Sequence, residues 1–212
     1  GGLNQIENVL RLLKSKPGSR RAVIQLFDAT DIDQDHEDVP CTCTTQLVLR
    51  ENILHMITYM RSNDAFWGLP HDIFSFTMLQ EIFARALSAE LGSYKHAVGS
   101  LHLYDKQIED AQEFLKEGWQ PTDTPMPPMP TGDPGPSIQT LLRVEEIIRN
   151  DRVLDSSLIH GLDPYWLDLV RLLQVLKYAK NKDQAGIEAL RREMSSNTYR
   201  PFIDKMITRI SE

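Results

Sequence analysis

The sequence predicts an α+β fold, followed by a proline-rich arm and a helical C-terminal extension. Three observations carry this. Up to about residue 118, runs rich in Val, Ile, Thr and Leu alternate with amphipathic helical stretches. Within 119–137, Pro121, Pro125, Pro127, Pro128, Pro130, Pro134 and Pro136 crowd together, and proline blocks helix and ladder alike. From 138 to 212 only helical periodicity remains. The expected division is 1–118, 119–137 and 138–212.

Taken in order, residues 3–16 place Leu3, Ile6, Val9, Leu10, Leu12 and Leu13 at helical spacing, and Pro17-Gly18 ends the run. Arg20-Arg21 leads into a strand over 22–27. The acidic stretch 28–38 is a loop. Residues 43–50 and 53–60 read as strands, and the two-residue link Glu51-Asn52 suits a hairpin. Residues 61–70 contain Gly68 and Pro70 and read as a loop. A helix is expected over 72–91, with Ile73, Phe76, Leu79, Phe83 and Leu87 on one stripe and Gly92 as terminator. A strand over 94–104 and a helix over 106–116 follow. Beyond the arm, helices are expected over 138–150, 164–180, 183–195 and 199–210, with Asp163 as N-cap before Pro164. The apolar run from Leu167 to Leu176 reads as a core or partner-facing helix, and Arg191-Arg192 as a solvated face.

The formal net charge of −7 argues against a duplex nucleic-acid face, which carries a basic surplus. It leaves room for a small phosphorylated ligand, which needs only a few arginines placed locally. The two cysteines, Cys41 and Cys43, stand two apart on an expected strand and so on one face, a poor spacing for a bridge or a metal pair. A reducing compartment, the cytoplasm, is expected. No apolar run approaches the roughly 18–20 residues of a membrane span, so no membrane partner is expected. The start, Gly1-Gly2-Leu3-Asn4, has none of the features of a secretion signal. His36, His55, His71, His96 and His160 show no metal-binding spacing, and no metal is expected. Trp67, Phe66 and Phe76 have core packing as their first reading and the lining of a pocket as the alternative.

Chemistry concentrates between Arg20 and Tyr104. A cysteine attacks only as thiolate, which nearby positive charge favours. Arg20, Arg21 and Arg61 supply permanent charge, and Ser62 adds a hydroxyl donor. The same groups suit a phosphate dianion. Cys41 is also readable as a small buried residue after proline, and Arg20-Arg21 as a solvated turn.

Arg20-Arg21-Ala22-Val23-Ile24, Pro40-Cys41 with Gln46 five further on, Arg61-Ser62-x-Asp64, Gly68-x-Pro70 and His102-x-Tyr104 together resemble the thymidylate synthase superfamily, which includes the pyrimidine nucleotide hydroxymethylases. The resemblance implies a thymidylate-synthase-like mixed sheet with packed helices. It implies that Cys41 adds to C6 of a pyrimidine nucleotide and that C5 then attacks the carbon of 5,10-methylenetetrahydrofolate. Arg61 and Ser62 hold the phosphate in their own subunit. Arg20 and Arg21 reach across a homodimer to the partner's phosphate. His102 and Tyr104 bond the sugar. Gln46 and Asp64 belong to the surrounding polar network, Asp64 facing base and folate. The family's N-terminal third and its C-terminal tail have no counterpart in these 212 residues.

Asp72 stands where synthases acting on uracil carry Asn. An amide offers donor and acceptor to O4 and N3–H of uracil, whereas an ionised carboxylate only accepts and suits the N4 amino group of cytosine. The family's cytosine-specific hydroxymethylases share this change, so CMP or dCMP is the expected substrate. The alternative for Asp72 is a helix cap ahead of Ile73. Thr42, Asn63 and Ser100 also depart from the family's usual His, Cys and Asp. The expected activity is C5 hydroxymethylation of a cytosine nucleotide. The alternatives are methylation of dUMP and a silent dimeric nucleotide-binding or scaffold module.

Overall fold

The protein was analysed as a computed structural model that describes residues 4–33, 35–119 and 125–211. Leu3, expected in the first helix, and Pro121, expected in the arm, lie outside the described residues. The chain divides into two compact units, Gly1–Gln120 and Pro121–Glu212.

In the first unit, helix α1 (Gln5–Ser15) starts at Asn4, whose side chain accepts from the Glu7 amide. Strands β1 (Val23–Gln25), β2 (Thr42–Arg50) and β3 (Ile53–Met60) pair antiparallel, and β5 (Glu90–Val98) adds to β3 in parallel. The sheet order is β1-β2-β3-β5. The α+β class and mixed sheet are thus as the sequence predicts. Glu51 and Asn52 both take positive φ (49° and 63°), the backbone a two-residue hairpin demands. A second, two-stranded pair joins β4 (Asn63–Asp64) to β6 (Leu101–His102) in parallel. Helix α2 (Gly68–Ala86) makes the parallel crossover, and a 3₁₀ turn at Asp105–Gln107 leads into α3 (Ile108–Lys116).

Period-2 alternation decides which side of the sheet is covered. Leu47 and Leu49 on β2, Leu54 and Met56 on β3 and Ile24 on β1 meet Val9 and Leu13 of α1 and Phe83 and Ala84 of α2 in one buried core. Phe76, Leu79 and Leu87 join this core, whereas Ile73 of the same expected stripe is exposed. The opposite sheet face presents Val23, Gln46, Val48, Ile57 and Tyr59, of which Val23 and Tyr59 are 40% and 45% exposed.

Two expectations are corrected here. Helix α2 begins at Gly68 rather than at Asp72, because Pro70 is tolerated in a first turn, where its missing N–H has no intrahelical partner anyway. It ends at Ala86 rather than Leu91. Ser88 takes the left-handed conformation at φ 54°, and the Ala89 amide donates back to the Ala84 carbonyl, closing the helix end. Gly92 instead sits inside β5, where two residues oppose His55 in a bulge. A Cβ at Gly92 would lie 2.6 Å from His55 Nδ1 and 2.9 Å from Ile53 Cγ2. The Ser93 amide donates to that same His55 nitrogen at 3.0 Å. Buried Gln80 of α2 donates to the Leu54 and Gly92 carbonyls, fastening the bulge to the helix.

The second unit is helical. Residues 125–130 carry no regular structure, and α4 (Gly135–Arg149) begins ahead of the expected 138 with Pro136 in its first turn. Helices α5 (Pro164–Lys180), α6 (Gln184–Glu193) and α7 (Arg200–Ser211) follow. Asp163 caps α5 by accepting from the Tyr165 amide, as its place before Pro164 predicts. Val170 packs with Val144 and Ile148, and Val175 with Ile187, Leu190 and Ile203. Arg191 and Arg192 lie on the solvent side of α6, as expected, and the Arg191 guanidinium forks onto Asp204, tying α6 to α7.

Replacing Ser88 with glycine relieves the left-handed strain and is expected to stabilise the protein by about 0.5–1 kcal/mol. Gly92→Ala is expected to destabilise it by about 1–3 kcal/mol, because the bulge has no room for a methyl group. Urea unfolding of the two variants reads both signs.

Candidate functional site

The site is built where β2 begins and β3 ends. Thr42 pairs with Met60 and Thr44 with Tyr59, so Cys43 is the extra residue of a β-bulge. The Leu26 and Phe27 amides both donate to its carbonyl. The bulge breaks the two-residue alternation, so the expectation that Cys41 and Cys43 share a strand face does not hold. Cys41 is exposed and lies just ahead of β2, and both thiols are free.

Arg61 locks this segment. Its amide donates to the Cys41 carbonyl at 2.8 Å, its Nε to Pro40 at 3.0 Å and its Nη2 to Val39 at 2.9 Å. Three successive carbonyls are thereby tied to one residue. Nε and Nη2 both serve the main chain.

From Arg61 the chain runs directly through the other residues of the motif. Ser62 Oγ lies 3.4 Å from His102 Nδ1, and the His102 ring meets Tyr104 edge-on at 4.8 Å between centroids. Asp64 pairs with His102 across β4 and β6, and the Ala65 amide donates to the His102 carbonyl. Cys41, Arg61, Ser62, Asp64, His102 and Tyr104 therefore belong to one cluster.

Asp64 also has a structural task. Its carboxylate accepts from the Phe66, Trp67 and Gly68 amides and from Gln107 Nε2, serving the N-terminus of α2 in place of a side-chain cap at Trp67. Burial pushes its carboxyl up, and these four donors outweigh that and hold it below the ordinary carboxylate range. Gln107 is itself buried, and its Oε1 has no hydrogen-bond partner among the described residues.

Arg20 and Arg21 stand apart. Both are exposed ahead of β1, and Gln46 Nε2 donates to the Arg20 carbonyl at 3.0 Å. Gln46 is five residues beyond Cys41 in sequence, which at about 3.3 Å per strand residue is roughly 15 Å. Within one chain the three arginines thus do not form a single cradle; Arg61 alone is at Cys41. Asp72 is four residues into α2, so it is not the N-terminal cap of that helix. It is partly buried, and its charge acts on Tyr94.

Sequence reasoning missed one feature. Tyr94, His96 and Asn63 are joined by hydrogen bonds beneath α2, and their trace in the sequence is the period-2 alternation of Tyr94 and His96 on β5. For Phe66 and Trp67 the pocket-lining alternative holds rather than core packing. With Ala65, Pro70, Leu103 and Phe114 they line an apolar cavity of about 360 Å³, and Trp67 is 56% exposed. Phe76 does pack against the core. Among the described residues no three His, Cys, Asp or Glu side chains gather to hold a metal, and no helix is long and apolar enough to cross a membrane.

A family model described as Thymidylate synthase matches residues 1–133. The chain belongs to the thymidylate synthase family. It is 32% identical over 113 residues to a protein named Thymidylate synthase from Buchnera aphidicola subsp. Baizongia pistaciae, covering 53% of this chain and 42% of that one. Thermostable thymidylate synthase A from Bacillus subtilis matches at 30% identity with a TM-score of 0.49, over 55% of this chain and 43% of that one. The chain thus spans less than half the length of these thymidylate synthases.

Because the Asp64 carboxyl is lowered in the folded state, its contribution is complete above the ordinary carboxylate range and is lost as pH falls through the depressed value. Asp64→Ala is expected to lower the melting temperature at neutral pH. The difference from the parent should shrink on acidification, as followed by thermal melts along a pH series.

Proposed function

We propose that the protein transfers a one-carbon unit to C5 of a cytosine nucleotide, CMP or dCMP, and releases a hydroxymethyl product, with 5,10-methylenetetrahydrofolate as co-substrate. The observation that carries this reading is the Arg61 clamp, which sets an exposed Cys41 beside a guanidinium and in line with Ser62, His102 and Tyr104. A phosphate, a sugar and a pyrimidine ring each find a complementary group in that row. The position of Asp72 inside α2 speaks against the helix-cap alternative and for a role toward the base.

The residues also fit a folate ring. Its flat heterocycle needs a hydrogen-bond acceptor and an apolar wall, which Asp64 and Trp67 offer. When bound, the folate supplies the one-carbon unit at the methylene level. Cys41 Sγ adds to C6 of the base and moves electron density to C5, the carbon that accepts this unit. Asp72, as an ionised acceptor, holds the exocyclic amino group and fixes the ring over Cys41. The C5 hydrogen is lost as a proton and tetrahydrofolate is released, leaving an exocyclic methylene on C5; water adds its oxygen to that methylene with loss of a proton, and Cys41 is expelled from C6 as the thiolate, restoring the C5–C6 double bond.

The working unit is a homodimer in this reading. The uncovered sheet face of Val23, Gln46, Val48, Ile57 and Tyr59 suits burial against a second copy, and Arg20 and Arg21 stand beside it, away from their own Cys41. The two free thiols fit a reducing cytoplasm.

The activity is tested by incubation with methylenetetrahydrofolate and each of C5-tritiated CMP, dCMP, UMP and dUMP. Tritium release from a cytosine nucleotide, abolished in Cys41→Ala, is the expected result. Asp72→Asn is expected to shift preference toward uracil by about ten- to a hundredfold, the effect of one unpaired buried polar group. Release from dUMP alone supports a synthase instead, and binding without release supports a silent module. Tyr59→Glu on the open sheet face is expected to convert a dimer to monomers in sedimentation; an unchanged dimer places the interface elsewhere.

A further inference from the structure

Gln107 closes the 3₁₀ turn Asp105–Gln107, its main-chain amide donating to the Tyr104 carbonyl at 2.8 Å. Its side chain is 7% exposed and reaches Asp64, where Nε2 donates to Oδ2 at 3.3 Å. An ionised carboxylate only accepts, so the NH₂ end of this amide and not its oxygen faces Asp64. The oxygen is thereby left in the interior, and among the described residues it finds no donor. A buried carbonyl without a partner is destabilising. An apolar side chain of the same length would fill this space without that penalty. Packing by itself therefore does not account for an amide at this position.

The two oxygens of Asp64 are engaged unequally. Oδ2 accepts from the Trp67 amide at 3.0 Å, the Gly68 amide at 3.2 Å and Gln107 Nε2 at 3.3 Å. Among the described residues, Oδ1 accepts from the Phe66 amide only, at 3.1 Å. A carboxylate oxygen has about two lone-pair sites. Three donors fill Oδ2, and a single donor leaves Oδ1 one site to spare. The amides of Phe66, Trp67 and Gly68 belong to the turn that follows Asp64 and move with it. Gln107 is the donor that fixes the carboxylate to a separate element, the entry to α3. Phe66 and Trp67 of that same turn line the apolar cavity.

We propose that Gln107 is a positioning residue for the folate co-substrate: by filling Asp64 Oδ2 from the entry to α3, it leaves Oδ1 as the oxygen that accepts from the N–H groups of the folate heterocycle beside Trp67. Gln107 is buried and does not itself touch the ligand; it acts through Asp64. The proposal rests on the folate reading and adds the residue that aims the acceptor. It also accounts for the amide, since an apolar side chain has no donor for Oδ2 and a carboxylate would repel it.

The test uses the full chain and Gln107→Met, which keeps the length of the side chain and removes both amide groups. Calorimetric titration with tetrahydrofolate is run with saturating CMP and, in parallel, with dUMP. The variant is expected to bind tetrahydrofolate about tenfold more weakly, the worth of one hydrogen bond to a charged group. Its nucleotide affinity is expected to match the parent's, and its melting temperature to be no lower, because the unpaired oxygen goes with the donor. Equal tetrahydrofolate affinity overturns the proposal and leaves the folate reading standing. A parent that binds tetrahydrofolate with neither nucleotide overturns that reading and the proposal with it. A loss of affinity that comes with a lowered melting temperature makes Gln107 a structural residue and overturns the proposal. A second readout needs no ligand. Burial pushes the Asp64 carboxyl up, and the three amides with Gln107 hold it below the ordinary range. With one donor removed, its ¹³C signal is expected to titrate at higher pH in Gln107→Met than in the parent; an unmoved titration overturns the proposal. In the parent by itself, the Gln107 side-chain ¹H–¹⁵N signals are expected to shift when tetrahydrofolate joins the nucleotide complex, and signals that stay in place overturn the proposal.

Discussion

The hold of Arg61 on the carbonyls of Val39, Pro40 and Cys41 is the constraint around which the first unit is arranged. A segment of three residues that precedes a strand and contains proline has no ladder of its own. Its carbonyls need donors from elsewhere. One arginine at the end of the neighbouring strand supplies all of them. The consequence is positional. Cys41 is set relative to the end of β3, and the chain leaving β3 immediately delivers Ser62, Asn63 and Asp64. Cys41 and the groups around it are thus referenced to one residue at the end of a central strand.

Helix α2 is placed by the same economy of parts. Asp64 ends a two-residue strand and serves the first amides of the helix, so its carboxylate fastens the turn over 65–67 that joins β4 to α2. Gly68 permits this, since a Cβ there would come within 2.5 Å of Asn63 Oδ1. Once the helix starts that early, Asp72 falls within it and Phe76 falls over His96. Farther along, Gln80 reaches the bulge of β5 and Phe83 fills the centre of the core. A single helix therefore spans from site to core, and its register decides both. Among the described residues of this unit, α1 and α2 pack on that side of the sheet.

The helical unit solves a different problem with a buried charge. Asp168 is 1% exposed, yet it accepts from the Ser195 and Ser196 amides and from Arg171, so the turn after α6 is held against α5 through a fully bonded carboxylate. Nothing in the sequence marks Asp168 among the apolar residues of its helix.

Much of the fold was legible from local chemistry. The β2–β3 hairpin follows from two β-rich runs and a two-residue link, and α5 begins where Asp163 and Pro164 say it must. The motif from Cys41 to Tyr104 could be read because its residue types are chemically unusual together. The ends of α2 could not. Ser88 substitutes for the expected glycine terminator because tertiary contacts compensate its strain, and Gly92 answers instead to the His55 ring across the sheet. The bulge at Cys43 was hidden because strand register is a property of two strands. The separation of Arg20 and Arg21 from Arg61, and the Asn63–His96–Tyr94 row, arise from residues distant in sequence and adjacent only across strands. Composition and periodicity, by themselves, determined the order of elements and the residues able to do chemistry. Which of those residues meet, and which direction their hydrogen bonds run, was decided by tertiary structure, since donors and acceptors are matched in space rather than along the chain.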